Sequence, residues 1–350
     1  MTTTDGVAAG LPPGVPALAR ALLAEDALRQ PDEPPLVDDA RLADELSAPH
    51  RLERDWPAPT PPVAVTGGWV HADLVDDDRP LFDALVAADR SAGPEAVAAR
   101  CQEARLPVTP YRRPGPDAVP APDLLPTPAK TSSTTTGPTG VTEPGAHPLA
   151  GTLVVDMTSH WAGPLAAALL AERGATVVKI EPAARPDGFR DRPALYAHLN
   201  HRKDHEPLDL RRPTDRERFE TLLERAALVV SSFSRRVLPN LGYGPERLRS
   251  RFGVSTVAIS AFPATGRTPD WVAYGPGVHA AAGLGLAPTR PEARPVPAPV
   301  AYPDVLAGLA AYVVAGRLLR VTAGPPRSAE VSLAGTIRPL TTAESSGGAA

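Results

Sequence analysis

The chain has 350 residues, 43% of them hydrophobic and 44 of them proline, so it can form a large core but leaves much of its length irregular. A formal net charge of -4 argues against nucleic acid or an anionic membrane as a partner, because both usually require a basic face. The lone Cys101 excludes an intrachain disulfide, and the sequence shows neither a signal peptide nor an apolar run of roughly 20 residues, so we expect a cytoplasmic protein.

The first part of the chain predicts a small, mostly helical region over residues 1–105. Its helical patterns are separated by prolines and lie at residues 15–28, 36–46, 80–88 and 94–104. Residues 106–148 follow, rich in proline, threonine, serine and glycine and nearly empty of large apolar side chains. Such a segment cannot bury enough surface to order itself, so it is predicted to be a disordered linker.

Residues 149–182 predict a ligand-binding βαβ unit. Residues 153–155 and 177–180 are apolar runs of the kind found in strands that are buried on both faces. Pro164 suits a first helical turn and Gly174 suits a helix end. The turn before the helix therefore presents backbone N–H groups at the carboxyl end of a strand, where open α/β sheets bind anionic ligands.

The remaining chain continues this alternation of strands and helices. Helices are predicted at residues 214–226, 236–241, 245–252, 277–286 and 304–320, and strands at residues 228–232, 256–262 and 329–333. The pattern indicates an α/β domain with a doubly wound parallel sheet over residues 149–335, and residues 336–350 are predicted to be a disordered tail. A Gly-x-Gly-x-x-Gly turn is missing from the βαβ unit and a Walker-type Gly-Lys-Ser/Thr from the chain, which argues against nicotinamide or nucleoside-triphosphate chemistry.

Six sequence blocks in this domain stand in an order shared with one enzyme family. They are VVDMTSHWAGP, GATVVKIEP, NHRKDHEPLDL, AALVVSSFSRRVLPNLG, DVLAGLAAY and AEVSL, and together they cover about residues 149–334. In this order they resemble the class III (CaiB/BaiF-type) coenzyme A transferases, a family that includes formyl-CoA and carnitine-CoA transferases and the α-methylacyl-CoA racemases.

The resemblance implies a Rossmann-like large domain with a small domain, in two interlaced chains. We therefore expect a homodimer or a heterodimer with a related chain. Residues 81–114 resemble the family's closing segment, which leaves two interpretations of residues 1–105: family sequence moved to the front of the chain, or an unrelated helical appendage.

The resemblance also implies the chemistry. An aspartate attacks an acyl-CoA, forms an anhydride and then an aspartyl-CoA thioester, and passes coenzyme A to a carboxylic acid. Asp304 stands at the family's nucleophile position, while its sequence setting by itself favours a helix cap. Coenzyme A enters as substrate, and no permanently bound cofactor is expected.

Eight further residues are placed around coenzyme A by the same resemblance. Those expected beside the thioester and pantetheine are Ser159, His160, Trp161 and Ala162, those on the nucleotide side are Asn200 and Lys203, and those facing adenine are Ser232 and Phe233. Lys203 would act as a point charge on phosphate. The alternative for residues 200–206 is a solvated polar loop.

Several departures from the family pattern favour a second hypothesis, a non-catalytic CoA-binding or partner subunit. Residues 201–203 and 234–236 differ from the family's loops, and no glycine-rich lid is found; an open site would expose the anhydride to hydrolysis. A third hypothesis is a 2-methylacyl-CoA racemase or isomerase, but the racemase histidine position falls on Tyr274, and His279 is interpreted as a helix-face residue.

A metal site is not expected. The histidines at positions 198, 201 and 205 have spacings that would suit a helix, yet Asn200 and Pro207 argue against a helix there.

Overall fold

The computed structural model describes residues 11–30, 33–113, 147–286, 293–320 and 325–346. Its helices are α1 (Val15–Leu23), α2 (Asp39–Leu52), α3 (Arg79–Ala87), α4 (Pro94–Glu103), α5 (Ala162–Glu172), α6 (Pro193–Asn200), α7 (Pro213–Leu223), α8 (Val237–Asn240), α9 (Pro245–Phe252), α10 (Gly275–Ala281), α11 (Tyr302–Arg320) and α12 (Leu333–Ser346). Its strands are β1 (Val63–Val65), β2 (Gly68–Ala72), β3 (Val108–Pro110), β4 (Leu153–Met157), β5 (Thr176–Ile180), β6 (Asp204–Glu206), β7 (Leu228–Ser231), β8 (Ser255–Ser260) and β9 (Ser328–Ser332).

The main sheet is parallel and has the strand order β6-β5-β4-β7-β8-β9 within the described residues. The chain runs outward from β4 through β5 to β6, returns to β7 beside β4, and then runs outward through β8 to β9. The predicted doubly wound α/β fold is confirmed. The order reverses between β4 and β7, which is where such sheets place their ligand sites.

Helices cover both faces of this sheet, which explains the apolar character of its strands. Val154 and Val155 are neighbours in β4, and because successive side chains point to opposite faces, they join two different cores. Helices α5 and α11 lie over the Val154 face, and α7 and α9 lie over the Val155 face.

The central helix α11 is long and apolar enough to cross a membrane, but 89% of the relevant window is buried inside the protein. This burial identifies it as a core helix. Its close packing depends on Gly308, where a Cβ atom would come within 2.8 Å of the Ala162 carbonyl oxygen in α5.

The four helices predicted before residue 105 are present as α1 to α4. The prediction of a mostly helical region missed an antiparallel sheet of order β1-β2-β3. Strands this short carry too little periodicity for sequence patterns to detect. The predicted linker is wrong at its start, because β3 lies inside it and Leu106 and Val108 are buried against α4. Residues 114–146 of that linker lie outside the described residues.

The N-terminal residues dock onto the main domain in two pieces. Helix α1 packs on α11, and Arg173 at the end of α5 contacts Asp26 and donates to the Tyr312 hydroxyl at 3.0 Å. Strands β1 to β3, with α3 and α4, form a second piece (the N-terminal sheet unit, residues 63–113) that contacts α10.

The sequence predictions for the main domain need correction at three places. Helix α6 and strand β6 were not predicted, and α11 begins at Tyr302 rather than at residue 304. The predicted disordered tail is wrong over residues 336–346, because α12 runs to Ser346 and buries Ile337 and Leu340 in the main core. The last four positions of that tail, residues 347–350, lie outside the described residues.

Candidate functional site

The turn between β4 and α5 lies at the point where the strand order reverses. The Ser159 amide donates a hydrogen bond of 3.0 Å to the Ser232 hydroxyl, which joins this turn to the end of β7. Phe233 follows Ser232 and is half-buried against the core on the Val155 face. The structure therefore brings together the predicted residues of both strand ends.

His160 adopts a left-handed backbone conformation, with φ of 66°. This conformation is uncommon for a residue with a side chain and concentrates at functional sites. The His160 amide donates to the Asp187 carboxylate at 3.1 Å, and its ring lies 5.0 Å from that of Tyr274 and 5.6 Å from that of Phe189. Burial lowers the pKa of His160 despite the nearby Asp187 carboxylate, so the ring is neutral at pH 7.

Trp161 and Ala162 complete the turn and begin α5. Both are buried, and the Trp161 ring meets Phe189 edge to face at 6.4 Å between ring centroids. The Trp161 indole Nε1 is buried and has no hydrogen-bond partner among the described residues. A buried donor without a partner is costly, so this atom is a candidate to bind a ligand oxygen.

Lys203 does not occupy the place that the family resemblance suggested. Its side chain is 0% exposed, and its ammonium donates to Asp156 Oδ2 at 2.8 Å, to the Pro164 carbonyl at 2.9 Å and to Asn200 Oδ1 at 2.9 Å. Three acceptors use all three of its protons. Lys203 is therefore not free to act as a point charge on phosphate, and Asn200 is likewise committed to this buried cluster.

A second buried pair lies beside the first. The Lys179 ammonium donates to Asp187 Oδ2 at 3.0 Å and to the Thr158 carbonyl at 2.7 Å. Burial would raise the pKa of Asp156, but Lys203 and Lys179 together hold it below its usual range. Lys179 thus fixes the Thr158 carbonyl in the β4–α5 turn and Lys203 fixes the Pro164 carbonyl in the first turn of α5, which makes both lysines positioning residues.

Asp304 lies inside the first turn of α11 instead of capping that helix. Asp304 is 8% exposed, and its Oδ2 atom has no hydrogen-bond partner in the described part of the chain. A Cβ atom on Gly275 would come within 2.0 Å of that oxygen, so a larger residue there would displace the carboxylate. Burial raises the pKa of Asp304 to about 7, while the Gly275 amide opposes this shift and the charge of Asp73 adds to it.

Asp73 is a site residue that no sequence pattern indicated. It follows β2 in the N-terminal sheet unit, and its Oδ1 lies 2.8 Å from His71 Nε2. Its Oδ2 is buried and has no partner among the described residues, and it lies 3.1 Å from where a Cβ of Gly277 would stand. Asp73 and Asp304 come from distant parts of the sequence, and their convergence depends on the docking of two units.

Tyr274 links the two carboxylates to the β4–α5 turn. It directly precedes Gly275, which lies against Asp304. Burial raises its pKa, and the negative charges of Asp73 and Asp304 raise it further. The same ring contacts that of His160. One site therefore lies between the turn at the end of β4, the start of α10, the start of α11 and the end of β2.

Two histidines outside the turn, His279 and His198, pack against other parts of the protein. His279 is buried on α10, where its Nδ1 lies 2.8 Å from the Tyr302 hydroxyl, and burial lowers its pKa to about 4, which agrees with the packing interpretation. His198 lies on α6 and contacts Glu45 at 2.9 Å. The described residues contain no group of three or more side chains that could hold a metal ion.

The main domain matches a known protein family. A family model described as CoA-transferase family III matches residues 149–345. The chain is 28% identical over 156 residues to an acetyl-CoA:oxalate CoA-transferase of Acetobacter aceti, covering 42% of this chain and 40% of that protein. It is 30% identical over 200 residues to a probable fatty acyl-CoA transferase of Mycobacterium tuberculosis, covering 54% of this chain and 51% of that protein.

A solved structure supports the fold. The crystal structure of the hypothetical protein Rv3272 from Mycobacterium tuberculosis superposes with a TM-score of 0.52 at 26% sequence identity, covering 57% of this chain and 58% of the other. The chain spans about half the length of the curated relatives it matches.

Proposed function

This chain belongs to CoA-transferase family III, and on that premise we propose that it transfers coenzyme A from an acyl-CoA to a carboxylic acid with Asp304 as the nucleophile. The Asp304 carboxylate attacks the thioester carbonyl and releases the CoA thiolate, which leaves an acyl-aspartyl anhydride. The thiolate then attacks the aspartyl carbonyl, so that the donor acid departs and an aspartyl-CoA thioester remains. The acceptor acid accepts coenzyme A by the reverse of these two steps.

The observation that carries this proposal is the state of the Asp304 side chain. A buried carboxylate oxygen without a partner lowers the stability of a fold, and groups kept in this state concentrate at functional sites. The oxygen faces Gly275, whose missing Cβ leaves the space that it occupies. A partly desolvated carboxylate is also a stronger nucleophile than a fully hydrated one, because less solvent must be displaced before it attacks.

We place coenzyme A over the β4–α5 turn. Ser159, His160, Trp161 and Ala162 would line the pantetheine and thioester, with the free Trp161 N–H available to an oxygen of the ligand. Ser232 and Phe233 would lie toward the adenine, because they stand at the end of the adjacent strand β7. Lys203 and Asn200 support this arrangement from beneath the turn, and they do not contact the ligand.

The assembly and location that we propose follow the family resemblance. Two copies of this chain, or this chain and a related one, would associate in the cytoplasm. Light scattering of the purified protein tests the assembly, and a single monomeric species in the presence of acyl-CoA would contradict the homodimer and favour association with a related chain.

The decisive experiment compares the wild type with Asp304→Asn and Asp304→Ala. Exchange of coenzyme A between acetyl-CoA or longer acyl-CoAs and the matching ¹³C-labelled acids measures transfer without knowledge of the natural acceptor. We expect both variants to lose at least about a thousandfold in exchange rate, as for other nucleophile deletions. Calorimetric titration with coenzyme A should show binding in all three proteins.

Asp83→Asn is the matched control, because Asp83 is an exposed carboxylate on α3 that pairs with Arg79 and lies outside the site. Exchange by this variant should equal that of the wild type. Retained exchange in both Asp304 variants would overturn the proposed nucleophile. Absence of both exchange and thiol release in the wild type, with coenzyme A still bound, would instead support the non-catalytic CoA-binding subunit.

A further inference from the structure

Two carboxylate groups, each with one buried oxygen that lacks a partner, face the same helical turn within the described residues. Asp304 Oδ2 lies against Gly275 and Asp73 Oδ2 lies against Gly277, two residues apart at the start of α10. Both oxygens lack a hydrogen-bond partner among the described residues. We propose that Asp73 is a general base that activates water, so that this site also hydrolyses acyl-CoA. The inference rests on the proposed role of Asp304 as nucleophile.

The charges of the two side chains favour this order of events. When Asp304 becomes acylated it loses its negative charge, and Asp73 becomes the remaining carboxylate of the pair. A second carboxylate at the site slows both anionic nucleophiles of transfer, the CoA thiolate at the anhydride and the acceptor acid at the aspartyl-CoA thioester, because like charges repel strongly where water is largely excluded. A neutral water molecule meets no such repulsion, and Asp73 can accept its proton.

Hydrolysis of the anhydride consumes one water molecule and regenerates the Asp304 carboxylate. Water oxygen forms a bond to the acyl carbonyl carbon of the anhydride, and one water proton passes to Asp73. The bond between that carbon and the Asp304 oxygen breaks, so that Asp304 departs as a carboxylate and the free acid is formed. The proton on Asp73 then returns to solvent, and coenzyme A has already departed from the first step.

The orientation of Asp73 suits a base. Its Oδ1 is held by His71 Nε2 at 2.8 Å, and His71 is buried with its Nδ1 at 3.5 Å from the Tyr111 hydroxyl. One oxygen is therefore fixed while the other is left to act. A general base must bring a free acceptor atom within hydrogen-bond reach of the proton that it takes, and Oδ2 of Asp73 is such an acceptor.

The N-terminal sheet unit is firmly attached beside α10, so Asp73 keeps its place. The Gln102 side chain donates to the Val272 carbonyl at 2.7 Å and accepts from the Val272 amide at 2.7 Å. The Thr109 hydroxyl donates to the Gly277 carbonyl at 2.9 Å. These contacts span the boundary between the unit that carries Asp73 and the domain that carries Asp304.

The test measures hydrolysis and transfer in one reaction. Acetyl-CoA and longer acyl-CoAs are incubated with the matching ¹³C-labelled acids; free thiol reports hydrolysis and label in acyl-CoA reports exchange. We expect Asp73→Asn to lower the ratio of hydrolysis to exchange at least tenfold relative to the wild type. Asp83→Asn should leave this ratio where it was, and Asp304→Ala should lose both reactions.

Asp73→Asn is nearly isosteric, but a measurement on the wild type protects the test against misfolding of the variant. Because Asp73 would move a proton during hydrolysis and no proton moves during exchange, D₂O should slow thiol release more than exchange. An equal effect of D₂O on the two reactions would overturn the inference, as would an unchanged ratio in folded Asp73→Asn.

Failure of this inference is distinguishable from failure of the proposed transferase activity. Exchange by the wild type without release of free thiol would overturn the hydrolytic role and support the transferase. Thiol release that depends on Asp73, with no exchange into any labelled acid, would support the hydrolytic role and overturn the transferase.

Discussion

The Asp304 carboxyl group determines the expected pH dependence of transfer. Burial raises its pKa to about 7, so the carboxyl is mainly protonated, and thus not nucleophilic, at pH 6. We expect kcat/KM for CoA exchange to fall about tenfold for each pH unit below 7 and to level off above pH 8. A profile that stays flat from pH 5 to 8 would show that the reacting group titrates elsewhere.

The turn at the start of α10 is the element that leaves room for Asp304. Gly275→Ala would place a methyl group within 2.0 Å of the present position of Oδ2, so the carboxylate must move. A displacement of about 1 Å at a reacting atom costs on the order of a hundredfold in rate. We expect that loss in kcat for exchange, with coenzyme A binding retained by calorimetry.

Gly93→Ala is the matched control for this prediction. A Cβ atom there would stand 3.7 Å from the Thr66 carbonyl oxygen, which is an ordinary contact, and it would lie outside the site. Equal losses in the two variants would mean that glycine replacement affects the fold and not the nucleophile.

The loop after α6 is held by the buried ion pair of Lys203 and Asp156. Lys203→Ala would leave the Asp156 carboxylate buried without its partner, which typically costs about 3–5 kcal/mol of the free energy of unfolding. We expect a loss of that size in urea unfolding at pH 7. Arg202→Ala, at the exposed neighbouring position, should change the free energy of unfolding by less than about 0.5 kcal/mol.

A phosphate-binding role for Lys203 predicts a different result. In that case Lys203→Ala would keep the stability of the wild type and would weaken the binding of coenzyme A relative to dephospho-coenzyme A. Such an outcome would contradict the buried pair described here.

The whole chain is joined by contacts between its N-terminal residues and the main core. Arg173→Met would leave Asp26, which is buried beside it, without its cationic partner. We expect one cooperative unfolding transition, lowered by about 3–5 kcal/mol in this variant. The more exposed pair of Arg317 and Glu25 is the control, and Arg317→Met should cost at most about 1 kcal/mol.

Circular dichroism at near- and far-ultraviolet wavelengths during urea unfolding checks this prediction. Two separate transitions, with only the first lowered by Arg173→Met, would show that the N-terminal residues unfold independently of the main domain.

Local patterns were sufficient for much of the fold and for one part of the site. The apolar strands, Pro164 and Gly174 located the β4–α5 turn, because helix and strand periodicity and turn chemistry are properties of neighbouring residues. The order of six motif blocks identified the family and singled out Asp304. Those inferences required no knowledge of which elements touch.

Other features of the site depend on contacts between residues that are distant in the sequence, and only the tertiary structure decided them. Lys203 stands in a polar stretch that is typical of a solvated loop, and only the fold reveals that its side chain is buried against Asp156. Asp73 carries no motif, and it joins the site because the N-terminal sheet unit docks on α10. A sequence determines which residues can ionise, but burial and the convergence of separate elements determine which of them share a site and in which charge state.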